Sequence, residues 1–261
     1  MHFTQIRSAT AILTYAGKRI LIDPMLAERF ALPELPCAAD PTLRNPTVSL
    51  PCPVEKLLDV DAVLATHLHY DHFDDEAFRL LPKGLPLFCA DETDATTLRA
   101  AGFVDVRVLP PNAPLEWEGI LLSRTPALHG RGPWMPDFYA RLNTRYAACG
   151  VLFRAPGEPT FYLAGDTVWF DGVARVLREA KPDVVALNAC CARLTEGGPI
   201  IMGTDDVWQV AISAPWATLI ATHMEAVSHA TLTRRTLRAF AEDNAFSERL
   251  LIPADGETLT L

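Results

Sequence analysis

The sequence predicts an α/β (α+β) chain built as a four-layer αββα sandwich, with two mixed β-sheets face to face and helices outside. Three observations carry this. Short apolar runs of strand length recur along the whole chain, and from Ala62 onward they alternate with segments of helical period. No Gly/Ser linker or low-complexity segment divides them, so residues 1–261 read as one domain.

The opening third reads as a β-meander: strands over 3–7, 11–15 and 19–22, with a turn at Ala16-Gly17 and a stop at Asp23-Pro24. Residues 31–53 hold Pro33, Pro36, Pro41, Pro46, Pro51 and Pro53. That density opposes regular structure and predicts a long ordered loop over the surface. Strands follow over 62–65, 85–90, 104–109, 120–123, 150–154, 161–164, 184–187, 219–221 and 250–252. Between them, helices are expected over 74–81, 91–101, 173–180, 205–214 and 231–243. Thr204 is the expected cap of the fourth, and Ser228 or Thr231 that of the fifth.

At 261 residues and 49% hydrophobic, the chain can bury a large core. It has no apolar run of about eighteen residues and no basic-then-apolar start, so neither a membrane span nor a signal peptide is read. A net charge of -9 disfavours extended nucleic-acid binding and attraction to anionic lipid, which need clustered Lys and Arg. Cysteines 37, 52, 89, 149, 190 and 191 form no CxxC pair. They point to a reducing, cytoplasmic setting, with Cys190-Cys191 as buried thiols.

The chemistry concentrates at Thr66-His67-Leu68-His69-Tyr70-Asp71-His72, where the apolar strand Val63-Leu64-Ala65 runs out into a loop. Imidazoles at i and i+2 leave an extended segment on one side and can grip one cation. A carboxylate and an imidazole two and three residues further on can turn to a second cation beside it. Three later residues end apolar runs in the same way: His129, Asp166 within Gly165-Asp166-Thr167, and His223 after Leu219-Ile220-Ala221-Thr222.

This ordered set resembles the metallo-β-lactamase superfamily, and the likeness runs from Leu21-Ile22-Asp23-Pro24 to His223 and beyond. Within it, the chain is similar to the bacterial group related to L-ascorbate-6-phosphate lactonase. The supporting segments are Ala16 to Met25, Ala155-Pro156-Gly157-Glu158 and His223-Met224-Glu225-Ala226-Val227-Ser228-His229. The resemblance implies that His67, His69 and His129 hold one divalent metal and Asp71, His72 and His223 a second, with Asp166 between them. Zinc suits so many imidazoles, although manganese or iron also accepts nitrogen and oxygen donors.

Two such cations would activate a water, with Asp71 as a catalytic proton carrier, for attack on a small, anionic ester, lactone or phosphoester. Phosphodiester or nuclease cleavage is the alternative, followed by iron-dependent redox chemistry and a non-catalytic metal-binding role. Asp23 is a candidate support for the metal loop or a plain turn residue, and Asn188 is open in the same way. Glu225 is a further candidate near the site, whereas His229 reads as an exposed residue at a helix start. Residues 130–146, rich in Gly and Pro, are expected to lack regular structure. They form either a lid over the metals or surface packing, with Trp134 as an apolar anchor and Arg131, with Arg141 and Arg145, as cations for an anionic substrate. A homo-oligomer stays open.

Overall fold

The computed structural model describes residues 1–261 apart from 36, 196 and 197. Two seven-stranded mixed sheets dominate it. The first runs in the spatial order Thr258–Thr260, His2–Arg7, Thr10–Tyr15, Lys18–Ile22, Ala62–Leu64, Leu87–Cys89 and Val106–Val108. Its meander strands pair antiparallel, and from Lys18–Ile22 to Val106–Val108 the pairing is parallel. The second runs Leu250–Leu251, Thr218–Thr222, Val184–Asn188, Phe161–Leu163, Cys149–Arg154, Ile120–Pro126 and Leu115–Trp117.

The four expected layers follow from which face each side chain takes. Leu64 and Phe88 of the first sheet meet Val151, Phe161, Ala186 and Ile220 of the second in a core between the sheets. Their neighbours Val63 and Leu87 point the other way, beneath helices α1 (Asp75–Leu80) and α2 (Glu92–Ala100). Helix α3 (Met135–Arg141) lies apart from these layers, in a cluster with Leu194 and Ile200. On the far side, Tyr162, Val185 and Leu219 pack under α4 (Asp171–Ala180), α5 (Thr204–Ser213) and α6 (Arg234–Asp243). Strands buried on both faces must be apolar throughout, which is why the central ones read as unbroken hydrophobic runs.

Several local expectations are corrected. Helix α3 interrupts the segment expected to be irregular, because Pro136 falls in its first turn, where proline lacks only an amide that would be unpaired anyway. Gly203, not Thr204, caps α5, and Asp206 Oδ2 accepts its N–H at 3.2 Å. Thr233 caps α6, two residues beyond the later of the two expected caps. Within 31–53 the strands Leu32–Glu34 and Arg44–Asn45 form a small ladder; Pro33 lies in its first strand, while Pro36 falls outside the described residues.

Arg7 has no signal in the sequence beyond being a charge within an apolar strand, yet it is fully buried. Its guanidinium donates to the carbonyls of Met25 at 2.6 Å, Ala27 at 2.9 Å and Val48 at 3.1 Å. Burial pushes its pKa down to about 10, with Asp74 and Asp255 opposing, so it stays charged at neutral pH. Arg7 therefore ties the chain just after Asp23 and the proline-rich loop to the meander. Replacing Arg7 with Met strips three carbonyls of their donor and should lower stability by about 3 kcal/mol in urea denaturation. An unchanged midpoint would remove this role.

Candidate metal centre

The candidate ligands meet because both sheets deliver the carboxyl ends of their strands to one rim, the usual location of sites in sheets with parallel strands. Asp23 follows Lys18–Ile22, and His67 follows Ala62–Leu64. From the second sheet, His129 follows Ile120–Pro126, Asp166 follows Phe161–Leu163, Asn188 ends its own strand and His223 follows Thr218–Thr222. The Gly-Asp-Thr turn has a steric cause: Gly165 has φ +67°, and a Cβ there would lie 2.4 Å from the Cys149 carbonyl oxygen.

Three sets of donor atoms converge, each with its members within 4.8 Å: His67, His69 and His129; His67, His72 and Asp166; and Asp71, His72 and His223. Asp166 Oδ2 lies 3.1 Å from His72 Nε2, 3.5 Å from His129 Nε2 and 3.8 Å from His67 Nε2, and Oδ1 lies 3.9 Å from His223 Nε2. Asp166 thus stands between the groups. Asp71 Oδ2 lies 3.5 Å from His223 Nε2.

The outward nitrogens explain the inward ones. His67 Nδ1 pairs with Thr66 Oγ1 at 3.1 Å, His72 Nδ1 with Asp23 Oδ2 at 2.9 Å, His129 Nδ1 with the Ile200 carbonyl at 3.0 Å and His223 Nδ1 with Ser8 Oγ at 3.1 Å. His69 is turned over, its Nε2 donating to the Arg145 carbonyl at 2.8 Å. Where these outward bonds are made by a ring N–H, the inner nitrogen of the neutral ring presents a lone pair. Lone pairs then face one another, His67 Nε2 and His69 Nδ1 at 3.0 Å, His72 Nε2 and His223 Nε2 at 3.1 Å. Only a positive charge among them relieves that arrangement. This donor set fits divalent metal.

The electrostatics agree. Burial, then the neighbouring imidazoles, holds His67 well below the ordinary histidine range, and His69 falls to about 4 for the same causes. Burial lowers His129 as well. Burial would also lower His72 and His223, but nearby charge, from Asp166 and Asp23 on one and Cys190 and Asp166 on the other, outweighs it and raises both. Burial would raise Asp71 and Asp166, yet the surrounding histidines hold both well below the carboxylate range. The same carboxylate charge that draws protons to His72 and His223 would draw a cation.

Among the supporting candidates, Asp23 Oδ1 accepts the Thr66 N–H at 2.7 Å, and Oδ2 accepts Thr66 Oγ1 at 2.8 Å besides its bond to His72. Asn188 donates to Asp166 Oδ1 at 2.6 Å and accepts from Thr222 Oγ1 at 2.8 Å. Four other expectations fail on geometry. Arg131 reaches the Trp169 carbonyl and Asp206, outside the cavity above the centre, and Trp134 packs on Phe138 at the surface. Glu225 is held by the Arg234 N–H and guanidinium, at 2.9 and 2.8 Å. Arg145 pairs with Asp91 and Asp94 and offers the centre only its carbonyl.

His229, expected to be exposed, is buried, with Nε2 3.4 Å from Asp71 Oδ2. The sequence reading also missed Ser8, whose positive φ on the first hairpin has no sequence mark, and Tyr139, whose ring stacks on His69 at 5.5 Å and 13°. Tyr139 had one available signal, its place in an aromatic segment following a candidate ligand.

The chain belongs to the beta-lactamase superfamily domain family, whose profile matches residues 18–224, and it has the metallo-β-lactamase fold. It is a metal-dependent hydrolase of that superfamily. It is 42% identical to the UPF0173 protein YddR of Bacillus subtilis over the full length of both. Among solved structures it is similar to an isothiocyanate hydrolase from Delia radicum gut bacteria, with TM-score 0.94 and 42% identity over 100% of this chain and 99% of that one. A possible metal-dependent hydrolase from Veillonella parvula matches with TM-score 0.95 and 38% identity, over 100% and 99%.

Removing the Asp23 carboxylate frees His72 Nδ1 and both Thr66 donors together. Asp23→Ala should weaken metal binding about 10- to 100-fold, measured by competition with a chromogenic chelator. Unchanged affinity would leave Asp23 as a turn residue only.

Proposed function

We propose that this chain hydrolyses a small, uncharged electrophile, isothiocyanates foremost, at a centre holding two divalent cations. The observation that carries the reading is the cavity over the ligands, of about 160 Å³. This is smaller than the roughly 300–1,000 Å³ of sites for drug-sized ligands. His69, Asp71, His129 and Asp166 form its base, and Leu35, Tyr139, Leu142, Leu194 and Ile200 form apolar walls. No Lys or Arg is among the described residues lining it. An anionic substrate, expected from the arginines of 130–146, would find no cationic side chain along these walls and could meet positive charge only at the cations themselves. Apolar walls suit a neutral one better. The full-length similarity to an isothiocyanate hydrolase favours that substrate class.

In this reading His67, His69 and His129 would hold one cation and Asp71, His72 and His223 the other, with Asp166 standing between the two sets. Zinc is our first choice and manganese or iron the alternatives. When bound there, the cations would supply a water of lowered pKa and polarise the attacked group. Water added across the C=N bond of an isothiocyanate gives a thiocarbamic acid, which splits to an amine and carbonyl sulfide: RNCS + H2O → RNH2 + COS. The water surrenders protons and the nitrogen gains them. Asp71 borders the cavity and is the carboxylate placed to carry one across. Leu142, Leu194 and Ile200 would seat the organic group and exclude bulk water.

We treat residues 1–261 as one unit, supported by the pairing of Thr258–Thr260 with the first strand. A cytoplasmic setting is supported by cysteine spacing that forms no CxxC pair and no regular framework.

Elemental analysis should find about two metals per chain, and Asp166→Asn should lose at least one of them with activity. Full metal content in that variant would defeat the bridging assignment. Protein loaded separately with zinc, manganese and iron is then assayed on phenethyl isothiocyanate, a lactone, a carboxylic ester and bis(p-nitrophenyl) phosphate. The expected result is amine and carbonyl sulfide release that a chelator abolishes and metal restores. Turnover of the phosphodiester with none of the isothiocyanate would overturn the substrate reading.

A further inference from the structure

His69 is held differently from the other four imidazoles that converge at the centre. It is the one of the five that is not fully buried. It is also reversed, with Nδ1 facing His67 Nε2 at 3.0 Å and Nε2 turned to the Arg145 carbonyl at 2.8 Å. A carbonyl oxygen only accepts, so the proton sits on Nε2 and the lone pair on Nδ1. Water reaches this bond and competes for the proton, so the tautomer depends on an acceptor that is fixed in place.

The local backbone does not fix that acceptor. Arg145 follows helix α3 and its closing turn, where the Thr144 N–H donates to the Tyr139 carbonyl at 3.1 Å. Residues 145–148 belong to no helix or strand, and they make no backbone–backbone hydrogen bond with the described residues. Tyr146 Oη donates to the Gly130 carbonyl at 3.0 Å, but Gly130 lies on the same excursion. What ties residue 145 to the scaffold is its own side chain. The guanidinium donates to Asp91 Oδ2 at 2.7 Å and Oδ1 at 3.2 Å, and also to Asp94 Oδ1. Asp91 caps helix α2, accepting from the N–H groups of Thr93 at 2.9 Å and Asp94 at 3.1 Å. That helix packs through Ala95 and Leu98 under the first sheet, the sheet from which the His67 to His72 loop emerges.

We propose that Arg145 is a positioning residue: its ion pairs with Asp91 and Asp94 hold the carbonyl that determines which nitrogen of His69 faces the centre. The inference rests on the proposed placement of a cation by His67, His69 and His129. It gives Arg145 a task at the metal centre in place of the substrate contact that its charge suggests in the sequence.

The test reads zinc-loaded protein, labelled with 15N at histidine, by long-range 1H–15N correlation, which separates protonated, unprotonated and metal-bound ring nitrogens. Wild type should show His69 with a protonated Nε2 and a metal-bound Nδ1. Arg145→Met should speed exchange of the Nε2 hydrogen with water about tenfold and weaken one of the two zinc affinities about tenfold in chelator competition. Arg145→Lys should recover part of both, because an ammonium pairs with the carboxylates without the planar fork. Loss of the guanidinium also leaves the buried Asp94 without its partner, which destabilises the fold by itself. The double variant Arg145→Met with Asp94→Asn separates the two effects: its denaturation midpoint should return toward wild type while the fast exchange stays. Unchanged exchange in Arg145→Met, no protected Nε2 hydrogen in wild type, or exchange that recovers together with stability in the double variant would overturn the proposal. If zinc leaves the Nδ1 signal of wild-type His69 unmoved, the ligand reading fails separately, and the Nε2 exchange rates of wild type and Arg145→Met still decide Arg145.

Discussion

Asp166 is buried among four imidazoles, and the rest of the site is arranged around the charge it carries. A lone buried carboxylate is costly, and adding Asp71 nearby doubles the negative charge. The protein does not answer with Lys or Arg. It surrounds both carboxylates with imidazoles whose outer nitrogens pair with Thr66, Asp23, Ser8, Ile200 and Arg145. Negative charge and convergent lone pairs without a fixed cation describe a place for mobile cations. The outward partners decide which nitrogen of each ring faces in, so they are as much a part of the centre as the rings.

That dependence explains the weight the scaffold places on the ends of its strands. Asp23 and Thr66 lie beside each other because Lys18–Ile22 and Ala62–Leu64 are parallel neighbours in register. The bonds from Asp23 to the Thr66 amide, to its hydroxyl and to His72 then fix the direction in which the His67 to His72 loop leaves the sheet. Asn188 and Thr222 are likewise partners across a parallel pair, and their hydrogen bond orients the amide that holds Asp166. Ser8 closes the arrangement from the first hairpin, its carbonyl accepting the His223 N–H at 2.9 Å and its hydroxyl meeting the ring. Loop residues placed this way inherit the rigidity of both sheets.

The same reasoning separates what could be read from the sequence from what could not. The residues that converge were legible as candidates because the segment His67 to His72, and then His129, Asp166 and His223, each follow an apolar run, and a run of buried strand residues leaves a strong mark. Asp23 and Asn188 were legible as candidates on the same ground, although their alternatives as turn residues could be weighed only against measured partners. Arg131, Trp134 and Glu225 were chosen for nearness in sequence to a ligand. Nearness fails there because a loop can turn a side chain away within one residue, as Arg131 does toward Asp206. His229 erred in the opposite sense. Its surroundings come from Asn45, Asp40 and Arg193, and none of these contacts is visible as a local pattern.

The cavity extends this last point from one residue to substrate choice. Its base comes from residues that close strands, but Leu35, Tyr139, Leu142, Leu194 and Ile200 come from three excursions that the sheets do not constrain. One of these carries the short helix α3, stacked on His69 through Tyr139. Excursions of this kind can change length and composition at little cost to the core, because few of the contacts that hold the sheets together pass through them. The centre can therefore keep one chemistry while the walls decide what approaches it. In this chain they combine a small volume with apolar side chains, the two features on which the proposed compact, uncharged substrate rests.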